Sequence, residues 1–318
     1  MSVWNYASSV ESIINVGTGV QLLDDSVADF FQAALDEAKV QYAKTPIEGA
    51  KYHKVRNVDK NNYSSRTVGG IGLAKLNSDV ADLPVDKQVI GFDSLISNHV
   101  LRNSMVIGRE VLETDRMGVI GEHARNLIHS GTKTIERILA DSFNRGFGTT
   151  ALSMLGEDGL AMFHDTHPQY RGAAGTWDNL FTAGALTADS VAAARLAFNV
   201  YLDGNGDLDP QMLKNVIVPP ELADTMREIS GTTLKVDTSL NTTNVVSGIP
   251  YDVYHWLDSD TIIYQGDGDN GLEFHIRKNP EVKTYNDGTN CDKIISRVRM
   301  AVGTGLKRPG AWIGQLTA

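Results

Sequence analysis

The sequence predicts an α+β fold, and three observations carry the prediction. Residues 114–144 hold the longest helical repeat in the chain, residues 51–111 change to a strand-like period, and the second half mixes clear helices with short strands.

In the first of these, TDRMGVIGEHARNLIHSGTKTIERILADSFN, apolar or small residues recur at Ile120, Ala124, Leu127, Gly131, Ile135, Ile138 and Ser142, with Ile128 and Leu139 widening the stripe. Steps of three and four place them on one side of a helix. The opposite side is expected to carry Glu122, Arg125, Lys133, Glu136, Arg137 and Asp141. Thr114 or Asp115 suits the start, and Asn144 followed by Gly146 and Gly148 supplies a stop. Such a helix is about 45 Å long at 1.5 Å per residue, more than one small domain needs to cover its own core. Its length predicts a strut.

The 318 residues, 42% hydrophobic and 21% charged, suffice for a sizeable core and two lobes. No segment approaches eighteen apolar residues, so no membrane partner is expected. The start, MSVWNYASSVESIINVGTGV, has no basic region ahead of an apolar core, which argues against a signal peptide. The single cysteine, Cys291, excludes an intrachain disulfide and reads as packing before it reads as a nucleophile.

A net charge of −10 argues against a sequence-specific nucleic-acid binder, and the distribution says more than the sum. Residues 51–66 hold Lys51, Lys54, Arg56, Lys60 and Arg66 against Asp59 alone. Residues 277–310 are also basic, by +5, whereas 203–269 are acidic, by −9. Two readings stand: differently solvated surfaces, or complementary ends that dock on copies of the same chain. On the second reading, charge reversal at Arg56 is expected to harm assembly more than subunit folding.

Along the chain, residues 1–23 read as an irregular arm, and Asp24 to Tyr42 as a helix with Asp24 and Asp25 at its start. YHKVRNV, SRTVGGIGLAKL and KQVIGFDSLISNHV read as strands. Between them VGGIGLAKLNSDVADLP, residues 68–84, cannot build a core of its own. It fits a long hairpin arm lying on something else, or a mobile loop. TADSVAAARLAFNVYL at 187–202 is a second helix capped by Thr187, NVIVPP a buried strand, and ELADTMREI a short helix opened by Pro219 and Pro220. Asn244 to Trp256 and Thr261 to Tyr264 read as strands, GDGDNG as a tight turn, and LEFHIRK and CDKIISRVRM as strands running toward the C-terminus.

The motifs that carry chemistry are weak. DGNGDLDPQMLK at 203–214 begins like a calcium loop, but Leu208 stands where Gly is needed and Lys214 where the bidentate Glu is needed. His164 and His167 in HDTHP, beside Asp165, have a spacing that suits a metal but lack further ligands and sit in a loop before Pro168, so structural histidines are the first reading. None of the Gly-rich stretches has the ending of a phosphate loop. No catalytic, cofactor-binding or metal-ligating residue is assigned.

Taken in order, GEDGLAMFHDTHP at 156–168, NVIVPPELADTM at 215–226, NVVSGIPYDVYHWL at 244–257 and GLEFHIRKNPEV at 271–282 resemble the succession found in major capsid proteins of tailed bacteriophages, which have the Hong-Kong-97-type fold. The resemblance implies an N-terminal arm over 1–50, peripheral-domain strands over 51–113 including an extended loop at about 60–92, a spine helix over 114–149, an axial domain over 150–270, and C-terminal strands over 271–318 returning to the periphery. It implies a virion shell protein, not an enzyme, that self-assembles into pentamers and hexamers in the host bacterial cytoplasm. Scaffolding, portal and decoration proteins are the implied partners, with packaged double-stranded DNA held only non-specifically. No long charged helix precedes the arm, so a fused scaffolding segment is expected to be absent or removed. The candidates for contact between subunits are Lys51, Lys54, Arg56, Lys60 and Arg66, Lys75 in the loop, and Asp267 and Asp269 in the GDGDNG turn. Lys75 is not assigned a crosslink, because no catalytic carboxylate is identified. An encapsulin-like cellular compartment would share the fold, and DGLAMFHDTHP favours the phage reading. A metal-dependent hydrolase built on His164, His167 and Asp165 is the reading from another class.

Overall fold

The computed structural model describes residues 47–69, 74, 90–108, 119–148, 154–170, 175–204, 206–235, 242–286 and 293–317. The expected arm and helix at 1–46, most of the loop between 70 and 89 with Lys75, the segment 114–118, and Cys291 lie outside them. A 3₁₀ turn at Glu48–Tyr52 leads into β1 (Lys54–Asn57), β2 (Asn62–Val68), β3 (Ile90–Ser97), β4 (His99–Gly108) and the long helix α1 (Val119–Asn144). Short strands β5 (His167–Pro168), β6 (Thr176–Trp177) and β7 (Leu180–Phe181) precede helix α2 (Ala188–Asn199). Then come β8 (Leu213–Val218), α3 (Ala223–Gly231), β9 (Tyr251–Val253), β10 (Thr261–Gly266), β11 (Leu272–Asn286), β12 (Lys293–Leu306) and β13 (Trp312–Leu316).

Two sheets organise these elements. One has the order β1-β11-β12-β4, with β1 parallel to β11 and the other pairs antiparallel. The other has the order β7-β13-β10-β8-β9. Strands β2 and β3 form a separate antiparallel hairpin, with Tyr63 opposite Ile96 and Arg66 opposite Asp93. Its base lies over the four-stranded sheet, where a Cβ on Gly305 of β12 would come within 2.1 Å of Ile96 Cγ1. Only a residue without a side chain lets the two backbones approach this closely.

The strut reading of α1 acquires a physical basis. Its middle buries Ile135 and Leu139 with Phe274, Ile276, Met300 and Val302 of β11 and β12. Its end places Ala140 and Phe143 in a second core with Tyr52, Phe163, Ile217, Tyr254, Ile263 and Trp312. One 26-residue helix, about 39 Å long, thus joins both sheets. A third core lies between the five-stranded sheet and α2, where Val191, Ala194 and Phe198 meet Val216, Val218, Ile262 and Tyr264. Thr187 caps α2 as its sequence predicts: its hydroxyl accepts the Ser190 backbone N–H at 3.1 Å, and the Ser190 hydroxyl accepts that of Thr187.

Two expectations are corrected. Glu136 belongs to the buried side of α1, not the outer one. It is 4% exposed and accepts backbone N–H groups of Glu48 at 2.5 Å and Gly49 at 3.0 Å, satisfying donors that the 3₁₀ turn leaves unpaired. The strand expected from Asn244 to Trp256 shortens to Tyr251–Val253, because Asn244–Gly248 folds as a turn whose Asn244 amide donates to the carbonyls of Ile229 and Thr232. The last strand, β13, joins the five-stranded sheet between β7 and β10, burying Trp312.

Candidate assembly surface

The basic stretch 51–66 is spread over the 3₁₀ turn, β1 and the hairpin, and much of it is engaged within the subunit. The Lys51 ammonium lies 3.1 Å from Asp252 and 4.7 Å from the Tyr52 ring centroid. Arg56 projects from β1 onto Glu273 of β11 at 3.0 Å. Arg66 forms a two-pronged, exposed pair with Asp93 across the hairpin, at 2.6 and 3.0 Å. Lys54 and Lys60 are exposed, with the Lys60 carbonyl accepting the Asn98 side-chain amide.

The acidic GDGDNG turn comes to the same neighbourhood instead of to a distant end. The Asn270 amide donates to the Tyr52 carbonyl at 2.7 Å, while an Asp267 carboxylate oxygen accepts the Met212 N–H at 2.7 Å. Asp267 and Asp269 are both exposed. The charges segregated along the sequence therefore meet partly inside one copy, at Lys51 with Asp252.

Glu273 is the electrostatic centre that the sequence did not single out. Its side chain is 3% exposed and receives Arg56 at 3.0 Å, Lys307 at 2.9 Å and the His275 ring at 3.0 Å. Burial alone would raise its pKa, but the hydrogen bonds from His275 and Lys307 and the charges of Lys307 and Arg56 outweigh burial and hold it at about 2. Three segments far apart in sequence are tied by one carboxylate.

A second junction seats the hairpin. Thr67 at the end of β2 donates to Glu157, whose carboxyl is pushed up by burial against that bond and the nearby Arg308 charge. Arg308 lies within 4.9 Å of both the Tyr170 and Trp177 ring centroids, and its Nε donates to the Tyr201 hydroxyl at 2.9 Å. A small open pocket lies there, lined by Phe92, Glu157, Asp158, Tyr170, Trp177 and Arg308 among others.

The chemical motifs resolve into structure. His167 is fully buried, bonded to Asp158 at 2.6 Å and stacked on Trp177 at 4.6 Å. His164 accepts the Thr166 N–H through its own ring nitrogen. In the calcium-like segment the Asp203 carboxylate accepts the Asp207 N–H at 2.9 Å, closing a turn after α2 with Gly206 at positive φ. Among the described residues, no three His, Cys, Asp or Glu side chains converge as metal ligands, and no helix is long and apolar enough to cross a membrane.

Residues 103–314, more than half of the chain, match the family described as phage capsid protein. The chain belongs to that family. Known capsid structures share its architecture, which is the Hong-Kong-97-type fold. The capsid of a native GTA particle aligns over 86% of this chain and 91% of its own subunit, at 12% identity and a TM-score of 0.58. The capsid of cyanophage P-SCSP1u aligns over 84% of this chain and 86% of its own, at 11% identity and a TM-score of 0.57. The procapsid of bacteriophage JBD30 aligns over 92% and 75%, at 14% identity and a TM-score of 0.50. No curated protein matches the chain in sequence. These identities are too low to carry residue roles across, so the contact surface of this capsid protein is argued from its own side chains.

Proposed function

We propose that this chain is the major capsid protein of a tailed phage, assembling into pentamers and hexamers that form the head shell around double-stranded DNA. The observation that carries the reading is the membership of residues 103–314 in the phage capsid protein family. The architecture supports it: a helix that joins two sheets, and a two-stranded hairpin whose outer side leaves Leu95 at 66%, Val68 at 53% and Ile90 at 50% exposed. Apolar side chains on the outer side of a two-stranded ribbon find their cover on another copy.

In this reading the four-stranded sheet, hairpin and α1 form the peripheral domain, and the five-stranded sheet with α2 and α3 forms the axial domain around the capsomer axes. The last strand β13 then belongs with the axial sheet. Lys54 and Lys60, which project from the subunit, are the strongest basic contact candidates. Lys51, Arg56 and Arg66 act first within their own copy. Assembly takes place in the host bacterial cytoplasm, with scaffolding, portal and decoration proteins as partners, and an acidic chain holds packaged DNA only loosely.

Sedimentation and negative-stain microscopy of purified protein test the proposal. Closed shells or capsomers are expected. A chain that remains monomeric under all assembly conditions would overturn the reading, and shells filled with protein cargo and lacking DNA would replace it with an encapsulin-like compartment.

A further inference from the structure

The four-stranded sheet has two unlike faces. Leu101, Met300 and Val302 point to the α1 side, where they pack with Ile135 and Leu139. The neighbouring positions therefore point the other way. On that face Arg299 of β12 stands directly opposite Arg102 of β4, and Arg297 stands opposite Ser104. Residues directly opposite in an antiparallel pair share a face, and like charges so placed repel. Glu281 of β11 is the register partner of Arg299 on its other side, so this end of the face sets the carboxylate of Glu281 beside three guanidinium groups.

Among the described residues, the hairpin covers one end of this face, at Gly303 and Gly305. At the other end Arg102 is exposed, between Val100 at 37% and Val106 at 56% exposure. The Arg299 Nε is buried and has no acceptor among the described residues. A repelling arginine pair with a desolvated donor, framed by exposed valines, is costly for an isolated subunit and suited to a surface that receives carboxylates.

We propose that this arginine face docks on the acidic surface of a second copy of the chain. The inference rests on the shell reading and names one contact within it. Charge complementarity selects the occupant. Segment 203–269 carries twelve Asp and Glu residues against Lys214, Arg227 and Lys235. Within it Glu221, in the 3₁₀ turn before α3, and Asp224 and Glu228 on α3 are exposed at steps of three and four, a rigid and mainly acidic surface with Arg227 beside it. A protein partner fits better than nucleic acid, because the valines offer apolar area that a phosphate backbone does not use and the chain as a whole carries −10.

Assembly of full-length wild type, Arg102→Glu and the combination of Arg102→Glu with Glu221→Lys, Asp224→Lys and Glu228→Lys tests the contact. Arg102→Glu places a carboxylate opposite Arg299, so the subunit keeps its thermal stability while the threshold concentration for assembly rises about tenfold. The combination brings the threshold back toward the wild-type value. Wild-type assembly by Arg102→Glu would overturn the inference. So would normal shells that retain less DNA, which would reassign the face to nucleic acid, or a loss of assembly that the acidic-side reversals leave unrestored. Failure of the wild type itself to assemble would instead strike the shell reading.

Discussion

The Arg56 guanidinium lies 3.0 Å from the Glu273 carboxylate, joining the first strand of the four-stranded sheet to its centre. Arg56 is therefore engaged inside the subunit, and charge reversal there is expected to cost folding as well as assembly. Arg56→Glu sets a second carboxylate against one that is 3% exposed. The unassembled subunit is expected to lose about 3 kcal/mol in denaturant unfolding. A loss below about 0.5 kcal/mol, with assembly abolished, would instead place the whole effect in contacts between subunits.

Acid should weaken the subunit in two successive windows. His53 is buried against the Gly49 carbonyl at 2.9 Å and the Ser142 hydroxyl at 3.3 Å. Burial lowers its pKa from 6.5 to about 4, against the opposing pull of that carbonyl. Between those values the unfolded chain binds a proton that the folded chain refuses, so stability falls as pH drops, by about 1.4 kcal/mol per pH unit for this group. Glu273, depressed from 4.5 to about 2, takes over below 4.5, because its paired carboxylate must be protonated. Glu136 and Glu157, both raised by burial, lean the other way, which makes a difference curve the proper readout. Wild type minus His53→Gln should be constant above pH 6.5 and decline below it; a difference independent of pH refutes the assignment.

The long helix and its strut role were legible because periodicity is local: Leu127, Ile135 and Leu139 are buried as their spacing implies. So were the α2 cap at Thr187 and the buried strand β8. Glu136 was misplaced because a carboxylate counts as outward on a helical pattern, and only the 3₁₀ turn, 88 positions away in sequence, supplies the donors that bury it. Glu273 and Arg308 were invisible for the same reason: their partners, Arg56 and Tyr170, are brought to them by the fold. A Glu alternating with apolar residues in LEFHI was the one available signal, since both strand faces there are buried. The last strand was unmarked because WIGQL is short and its pairing with β10 and β7 is long-range.

Glu136 supports its own prediction. Glu136→Ala leaves the Glu48 and Gly49 N–H groups without their acceptor and is expected to cost about 2–4 kcal/mol. Glu136→Gln keeps one acceptor oxygen and removes a charge whose burial is unfavourable, so it should cost less than half as much. Equal losses in thermal unfolding would show that helix packing, not capping of the turn, sets the effect.

Seating of the hairpin is tested at Gly305. A Cβ there meets Ile96 Cγ1 at 2.1 Å, and Ile96 is 1% exposed, so its side chain has little room to yield. Gly305→Ala should cost about 1–3 kcal/mol by overpacking, and Ile96→Ala about 2–5 kcal/mol by leaving a cavity. Each change supplies what the other lacks: the new methyl enters the space that the shortened side chain vacates. The double substitution should therefore be less destabilised than the sum of the singles by at least about 1 kcal/mol. Additivity within about 0.5 kcal/mol would mean that the hairpin already lifts away from the sheet in the single variant, and that its base is not held by this contact.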